Sequence, residues 1–306
     1  MNKNKTLLPR QIGDTHIRLL RIYKTVIQSG GFAAAEIELN ISRPAISVAI
    51  SELESLLKMK LCHRGRSGFS ITKQGEQVYE SSLQLLSNIE NFRSEMNAIN
   101  TDLVGELNIG ITDNLVSSEQ MRITNSLSAF KHRAPEVIIN IRMIPPNDIE
   151  MAVLDGQLHI GVVPDLRALS GLCYLPLYKE RSLLYCSERH LLFDKEIDAI
   201  SDSSLGQYDA VLPNYQQPIA IKLQQKILKA TATSTDREGL AFLILTGRFL
   251  GFLPVHFAER WVAQDKMRSI DARHRNFDTH FSTITRKGGR ENLILEAYLE
   301  ELEKTL

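Results

Sequence analysis

The stretch Gly30-Gly31-Phe32-Ala33-Ala34-Ala35-Glu36-Ile37-Glu38-Leu39-Asn40-Ile41-Ser42-Arg43-Pro44-Ala45-Ile46-Ser47-Val48-Ala49-Ile50-Ser51-Glu52-Leu53-Glu54 decides the fold of the first part of the chain. It predicts two short helices meeting at a tight turn. The first covers residues 32–39, where Ala34 and Ala35 are small enough to admit a neighbouring helix. Asn40 stands where a left-handed C-cap is expected, because Asn tolerates positive φ better than most residues. Ser42 is the expected N-cap of the second helix, and Pro44 falls in its first turn, where a missing N–H costs nothing. Ala45, Ile46, Ala49, Ile50 and Leu53 recur at helical spacing and are expected to face the first helix. The pattern is a helix-turn-helix, a unit whose second helix can enter the major groove of DNA.

An alanine-rich helical hairpin is common in all-α domains, so its flanks carry the specificity. Upstream, Ile17, Leu19, Leu20, Ile22, Tyr23, Val26 and Ile27 form an apolar helix face able to close a three-helix core. Downstream, Leu61-Cys62-His63-Arg64-Gly65-Arg66-Ser67-Gly68-Phe69-Ser70-Ile71 predicts two short strands turned by Gly65 and Gly68, the wing of a winged helix. In this order the segment resembles the DNA-binding domain of LysR-type transcriptional regulators. The resemblance rests on Leu19-Leu20, Gly31-Phe32, Ala34-Ala35, Leu39, Ser42, Pro44-Ala45, Ser47, Leu53-Glu54, Leu61, Arg64, Ile71-Thr72 and Gly75. Val48 and Ala49 stand where that family often has Arg and Gln, and Cys62 stands where it usually has Phe.

The 306-residue chain is long enough for two or more domains, and its formal charge of zero hides an asymmetry. Residues 1–75 carry twelve Lys and Arg against five Asp and Glu, and the remainder is acidic to the same extent. A basic amino-terminal quarter suits a polyanion partner, and also a merely solvated basic face. Residues 1–10 are polar and basic with no apolar core, so neither a signal peptide nor, anywhere, a membrane span is expected. Three widely spaced cysteines make no disulfide framework and fit a reducing, cytoplasmic setting. Lys3, Lys5 and Arg10 lie in an arm, residues 2–13, read as a mobile tail able to lie near phosphates.

On the second helix, the residues not needed for packing are the candidate DNA contacts: Ser42, Arg43, Pro44, Ser47, Val48 and Ser51. Arg43 can fork to guanine O6 and N7 or hold a phosphate, and Val48 suits a thymine methyl. Arg64 and Arg66 in the wing suit phosphate or minor-groove contacts, which supply affinity and salt dependence. Cys62 is expected to pack as a small buried residue beneath the wing.

Residues 76–102 form a linker or dimerisation helix. Ile89 and Met96 fall at a, Ser82 there once, and Val78, Leu85, Phe92 and Ile99 at d of a heptad. So narrow a seam favours pairing with a second copy, and two copies imply an approximately palindromic DNA site. A long helix packed on its own domain is the alternative.

From residue 103 onward strands and helices alternate. Strands are expected at 105–111, 137–143 and 158–163 with helices at 116–132 and 147–155, giving a parallel sheet. A second unit has strands at 172–177, 182–186, 210–212 and 229–233, helices at 219–228 and 237–246, and a short strand and turn at 251–254 before another helix. A strand at 277–285 and a helix at 291–304 return to the first unit. Lobe 1 is therefore about 103–173 with 274–306, and lobe 2 about 174–273. This part resembles the family's effector domain, itself similar to type 2 periplasmic binding proteins. The resemblance rests on Gly105-Glu106-Leu107, Ile109-Gly110, Leu154-Asp155-Gly156, Leu158 and Gly251-Phe252-Leu253-Pro254. The fold class is thus multidomain: an all-α winged helix-turn-helix domain in residues 1–75, a long linker helix, and a two-lobed α/β domain.

Ligands of open α/β sheets collect at the carboxyl ends of strands, against helix N-termini. Thr112, Asp113 and Asn114 follow one such strand and Ser234, Thr235 and Asp236 another, with Pro164, Asn214 and His159 expected at the edge of the same cleft. Asp113 departs from the family's hydroxyl-rich pattern and argues against a strongly anionic ligand, while Asp113, Thr235 and Asp236 also suit helix capping. Cys173 and Cys186 are expected to be half-buried and inert. His256, His274 and His280 lack metal-ligand spacing, and no G-x-S-x-G, H-E-x-x-H or phosphate-loop motif is present. Neither an enzyme nor a cofactor is expected. The resemblance implies a bacterial transcriptional regulator with double-stranded DNA, a small-molecule effector, further copies of itself and RNA polymerase as partners. The competing reading is an architectural DNA-binding oligomer without a ligand.

Overall fold

The computed structural model describes residues 12–65, 68–98, 103–112, 115–117, 121–196, 200–288 and 292–306. The expectations placed on residues 2–11, Arg66, Ile99, Asp113 and Asn114, and on the side chains of Arg64 and Met96, lie outside what is described. Two compact units divide the chain, Met1–Phe92 and Arg93–Leu306.

The first unit contains α1 (Asp14–Gln28), α2 (Phe32–Leu39), α3 (Arg43–Leu57), the antiparallel pair β1 (Cys62–Gly65) and β2 (Gly68–Ile71), and most of α4 (Lys73–Ala98). Asn40 ends α2 in the left-handed region at φ 51°, as expected of Asn after a short helix. Leu19, Ile22, Tyr23 and Val26 of α1 close on Ala35 of α2 and on Ile46, Ala49, Ile50 and Leu53 of α3. Ala34 and Ala45, expected at the helix contact, are instead exposed: the contact runs through Ala35 and Ile46, one position further along each helix. Cys62 is buried in the same core.

α4 leaves the wing along this core. Thr72 Oγ accepts the Gly75 N–H at 2.9 Å and donates to the Lys60 carbonyl at 2.7 Å, fixing the start of the helix. Ser82 and Leu86 are buried, and Val78 and Tyr79 pack against the winged-helix core. Ser82, an interruption in the heptad, thus faces the chain's own domain. Farther along, Leu85 and Ile89 are half-buried, Phe92 is 52% exposed, and Arg21 of α1 pairs with Glu90 at 2.8 Å.

The second unit runs β3 (Gly105–Ile111), a 3₁₀ turn (Leu115–Ser117), α5 (Arg122–Arg133), β4 (Val137–Met143), α6 (Pro146–Leu154), β5 (Ile160–Pro164) and β6 (Leu172–Ser187). It continues with α7 (Asp202–Leu205), β7 (Asp209–Pro213), α8 (Ile219–Gln225), β8 (Lys229–Ser234), α9 (Arg237–Leu245), β9 (Gly251–Pro254), α10 (Val255–Val262), β10 (Met267–Ser269), β11 (Asn276–Arg286) and α11 (Leu293–Glu303). The main sheet has the order β10-β6-β11-β5-β3-β4, with β9 also on β6, and β7 and β8 form a separate parallel pair.

Three differences from the sequence reading matter. The main sheet is mixed: β3 is parallel to β4 and β5, but β11 runs antiparallel to β5 and β6. The strands expected at 172–177 and 182–186 are one strand of 16 residues. Lys179-Glu180-Arg181 falls between the two expected strands, yet the two flanking charges are exposed and Glu180 is buried, so the alternation continues. The helix expected from residue 116 begins only at Arg122, after the 3₁₀ turn.

One pair of cores, built on Leu107, Ile109, Phe130, Tyr298 and on Ile149, Val163 and Ile284, makes lobe 1. Another pair, built on Leu184, Leu250 and Phe252 and on Ile244, Leu253 and Phe257, makes lobe 2. β6 and β11 carry the chain between them, and their pairing shifts register between Phe281 and Ser282.

His159 is not at the cleft. It precedes β5, at the amino end of that strand, where its Nδ1 accepts the Asn108 N–H at 3.1 Å. Burial lowers its pKa from 6.5 to about 4. Because the unfolded chain takes up this proton more readily, the contribution to stability is complete above pH 6.5 and is lost as pH falls toward about 4. The loss amounts to at most about 3 kcal/mol. Urea titrations across this range should be flatter for His159→Gln than for the native chain.

Candidate DNA interface and inter-lobe site

α3 buries Ile46, Ala49, Ile50, Leu53 and Leu57, so Pro44, Ser47, Val48, Ser51, Glu52 and Ser55 form its open face. Val48 is 58% exposed, which an isolated apolar side chain in the middle of a groove-facing helix can use against a thymine methyl. The Ser51 hydroxyl donates to the Ser47 carbonyl at 2.9 Å. Ser42 takes the extended backbone of an N-cap, but its hydroxyl makes no cap hydrogen bond. Glu36 of α2 does that work: its carboxylate accepts the Arg43 N–H at 3.0 Å and meets the Arg43 Nε at 3.4 Å. Arg43 is thus held by a half-exposed acidic partner.

Glu54 joins this helix to the wing. Its buried carboxylate accepts the Lys60 ammonium at 2.8 Å and the Leu61 N–H at 2.9 Å. Desolvation opposes its ionisation, but the hydrogen bonds from Lys60, Leu61 and Cys62 prevail and hold the carboxyl below its usual range. Phe32 at the start of α2 meets Phe69 of β2 edge-on at 5.8 Å. The wing is thus fastened at both ends to the helices that present α3.

In the α/β unit, a chain of buried and half-buried polar groups crosses from lobe to lobe. Glu180 of β6 accepts Arg237 Nη2 at 2.6 Å on one oxygen and meets His256 Nε2 at 2.8 Å on the other. His256 Nδ1 lies 2.8 Å from the Ser117 hydroxyl. A carboxylate can only accept, so Nε2 donates to Glu180, and Nδ1 is left to pair with the Ser117 hydroxyl. Arg237 opens α9 and His256 lies in the first turn of α10, both in lobe 2, while Ser117 ends the turn after β3 in lobe 1. The Arg237 guanidinium also sits over the Phe281 ring at 5.5 Å, and Phe281 stacks on Tyr178.

None of the expected ligand residues is a member of this chain of groups. Thr112 is buried, with its N–H and hydroxyl on the Val162 carbonyl at 3.2 and 3.4 Å. Pro164 is buried opposite Phe281. Asn214 donates its N–H to the Ser234 carbonyl at 2.7 Å. Asp236 caps α9 by accepting the Gly239 N–H at 2.7 Å, and it also takes the Thr235 hydroxyl at 3.1 Å, while Ser234 Oγ donates to the Asp236 carbonyl. Asp236 is thus the N-cap of α9, with Thr235 bonded to it. Arg237 lies one residue beyond the expected Ser234-Thr235-Asp236, Glu180 falls between the strands expected at 172–177 and 182–186, and the spacing of His256 bears only on metal ligation. Buried charge on a central strand was the signal available for Glu180.

Among the described residues no group of His, Cys, Asp or Glu is arranged to hold a metal. Cys186 is buried, and its thiol is pushed up to about 12 by burial, whereas Cys173 is exposed rather than half-buried. Both lie on β6, and thirteen residues of extended strand separate them by roughly 40 Å, far beyond disulfide reach.

A winged helix with an open recognition face, followed by a two-lobed domain hinged on two crossing strands, defines a ligand-responsive DNA-binding regulator. Comparison with known proteins places it more closely. Residues 17–76 match the bacterial regulatory helix-turn-helix protein, lysR family, and residues 100–306 match the LysR substrate binding domain. The chain is 48% identical over 300 residues to the HTH-type transcriptional activator BauR of Pseudomonas aeruginosa, covering 98% of each protein. It also resembles in fold the crystal structure of CbnR, a LysR family transcriptional regulator, with a TM-score of 0.66 and 18% identity, covering 94% of this chain and 98% of that one. Full-length CbnR in complex with its target DNA gives a TM-score of 0.65 at 19% identity, covering 95% and 99%. The chain belongs to the LysR family of transcriptional regulators. It is a DNA-binding regulator with an effector-binding domain, and it is not an enzyme. No helix among the described residues is long and apolar enough to cross a membrane.

Proposed function

We propose that the protein is a cytoplasmic, homo-oligomeric transcriptional activator whose effector is received between the lobes, beside Ser117, Glu180, Arg237 and His256. The observation that carries this reading is the hydrogen bond between Ser117 and His256, which ties lobe 1 to lobe 2 next to a buried ion pair. A small polar molecule entering there changes the balance between the lobe arrangements by its different affinity for each. Thr112, Pro164, Asn214, Ser234, Thr235 and Asp236 frame the entrance, their backbone groups and caps holding the strand ends in place.

Activation, which the name of the 48%-identical relative states of that protein, is consistent with a partner role for RNA polymerase. The half-buried Leu85 and Ile89 and the exposed Phe92 on α4 supply the surface for a second copy, while Val78 is partly used in the chain's own core. Two copies present two α3 helices to a palindromic site. Effector binding alters the spacing of those helices and hence the energy of bending the DNA between half-sites.

The test is a thermal-shift screen of the full-length protein against small polar metabolites, repeated with Ser117→Ala. A selective ligand should raise the melting temperature by mass action, and the variant should shift its dose response. The reading fails if no compound stabilises the protein, or if every stabiliser acts identically on the variant.

A further inference from the structure

Between residues 42 and 52 Arg43 is the only cation, and its neighbours on the open face of α3, Pro44, Ser47, Val48 and Ser51, are short. A serine hydroxyl bonds to more than one base, and neither proline nor valine has a side-chain donor. Arg43 is the first residue of the helix, where a recognition helix reaches base edges, and it lies one turn before Ser47. The direction in which its guanidinium points therefore decides how much sequence this helix can read.

That direction is set from another helix. Glu36 of α2 divides its carboxylate between two groups of the same residue: Oε1 accepts the Arg43 N–H at 3.0 Å, and Oε2 lies 3.4 Å from Arg43 Nε. One side chain thus meets the first N–H of α3 and holds the inner edge of the guanidinium. Nη1 and Nη2, the outer fork, have no partner among the described residues. Two N–H donors on one planar end match the O6 and N7 acceptors of guanine. In water the pair is weak, because the two side chains are 59% and 39% exposed. A DNA groove displaces that water, and the attraction that orients the arginine strengthens there. The carboxylate has a second effect, since a negative charge close to phosphates lowers affinity for any duplex whatever its sequence.

We propose that Glu36 is a positioning residue for sequence recognition. Held through Nε, Arg43 presents its Nη fork to a guanine, and the charge of Glu36 keeps the arginine from settling on the phosphates of unrelated DNA. The acid gives up affinity for selectivity, from a helix that touches no base itself.

The test is selection by the full-length protein from a fully randomised duplex library, with sequencing of the bound fraction. The native chain should enrich a motif in which one G·C position is preferred about tenfold or more, the discrimination expected of a bidentate arginine contact. Arg43→Lys keeps the charge without the fork, so it should lose that preference and leave the rest of the motif intact. Glu36→Gln retains an amide oxygen for the Arg43 N–H while removing the charge. It should lose most of the same preference, yet bind an unrelated duplex as tightly as the native chain or more tightly in fluorescence anisotropy at fixed salt. With Arg43→Lys already in place, Glu36→Gln should change the base preference no further. An acid with a purely structural role gives another pattern, in which affinities for selected and unrelated duplexes fall together. The proposal is overturned by that joint fall, by a native motif without a G·C preference that Arg43→Lys removes, or by a Glu36→Gln motif identical to the native one.

Discussion

Glu180→Ala should destabilise the α/β unit by about 3–5 kcal/mol, because it leaves the buried Arg237 guanidinium without its carboxylate. The cost exceeds what the pair adds to stability, since an ion pair taken out of water recovers little more than its own desolvation. For that reason Glu180→Leu combined with Arg237→Met should regain most of the loss. Stability regained and regulation regained are different outcomes. In the double variant His256 has no carboxylate to orient its ring, so the Ser117 contact loses its fixed geometry and the lobes lose a defined arrangement. Urea denaturation of the two variants, with reporter transcription in parallel, separates these effects. A single variant within 1 kcal/mol of the native chain would show that the pair is not a buried constraint.

Gly75→Ala should cost DNA binding tenfold or more, together with about 1–3 kcal/mol or more of stability in the winged-helix unit. A Cβ on Gly75 would stand 2.0 Å from the Leu61 carbonyl oxygen and 2.7 Å from the Tyr23 hydroxyl. The first of these is backbone and cannot swing away. Either the start of α4 moves off the domain or Leu61 does, and Leu61 is where Glu54 anchors the wing. Fluorescence anisotropy with operator DNA reads the affinity. A loss confined to stability, with the affinity of the remaining folded protein unchanged, would show that the wing tolerates the shift.

Both residues illustrate what could be read before the structure. Gly75 was identified through its place in a motif, but not the reason for it, since a close approach of two backbones has no local signature. Glu180 was missed because charge in a run of three reads as a solvated segment. Only the partner 57 residues away makes it a core residue. Ser42 shows a third case. Its position and backbone were legible as an N-cap, yet its hydroxyl makes no cap bond, and the helix start is met instead by Glu36, which the turn between α2 and α3 brings to the Arg43 N–H. His159 shows a fourth: expected within a strand at the edge of the cleft, it instead precedes β5 at the amino end of that strand.

The sequence by itself determined the helix-turn-helix, its flanking helix, the wing and the strand–helix alternation. These follow from periodicity, caps and turn residues within a few positions of one another, and short-range sterics settle them without reference to the rest of the chain. Only the tertiary structure decided that β6 is one strand, that the main sheet is mixed, and that Ser117, Glu180, Arg237 and His256 meet. Those features depend on which distant groups satisfy a buried charge, and burial is a property of the assembled sheet rather than of any segment in it.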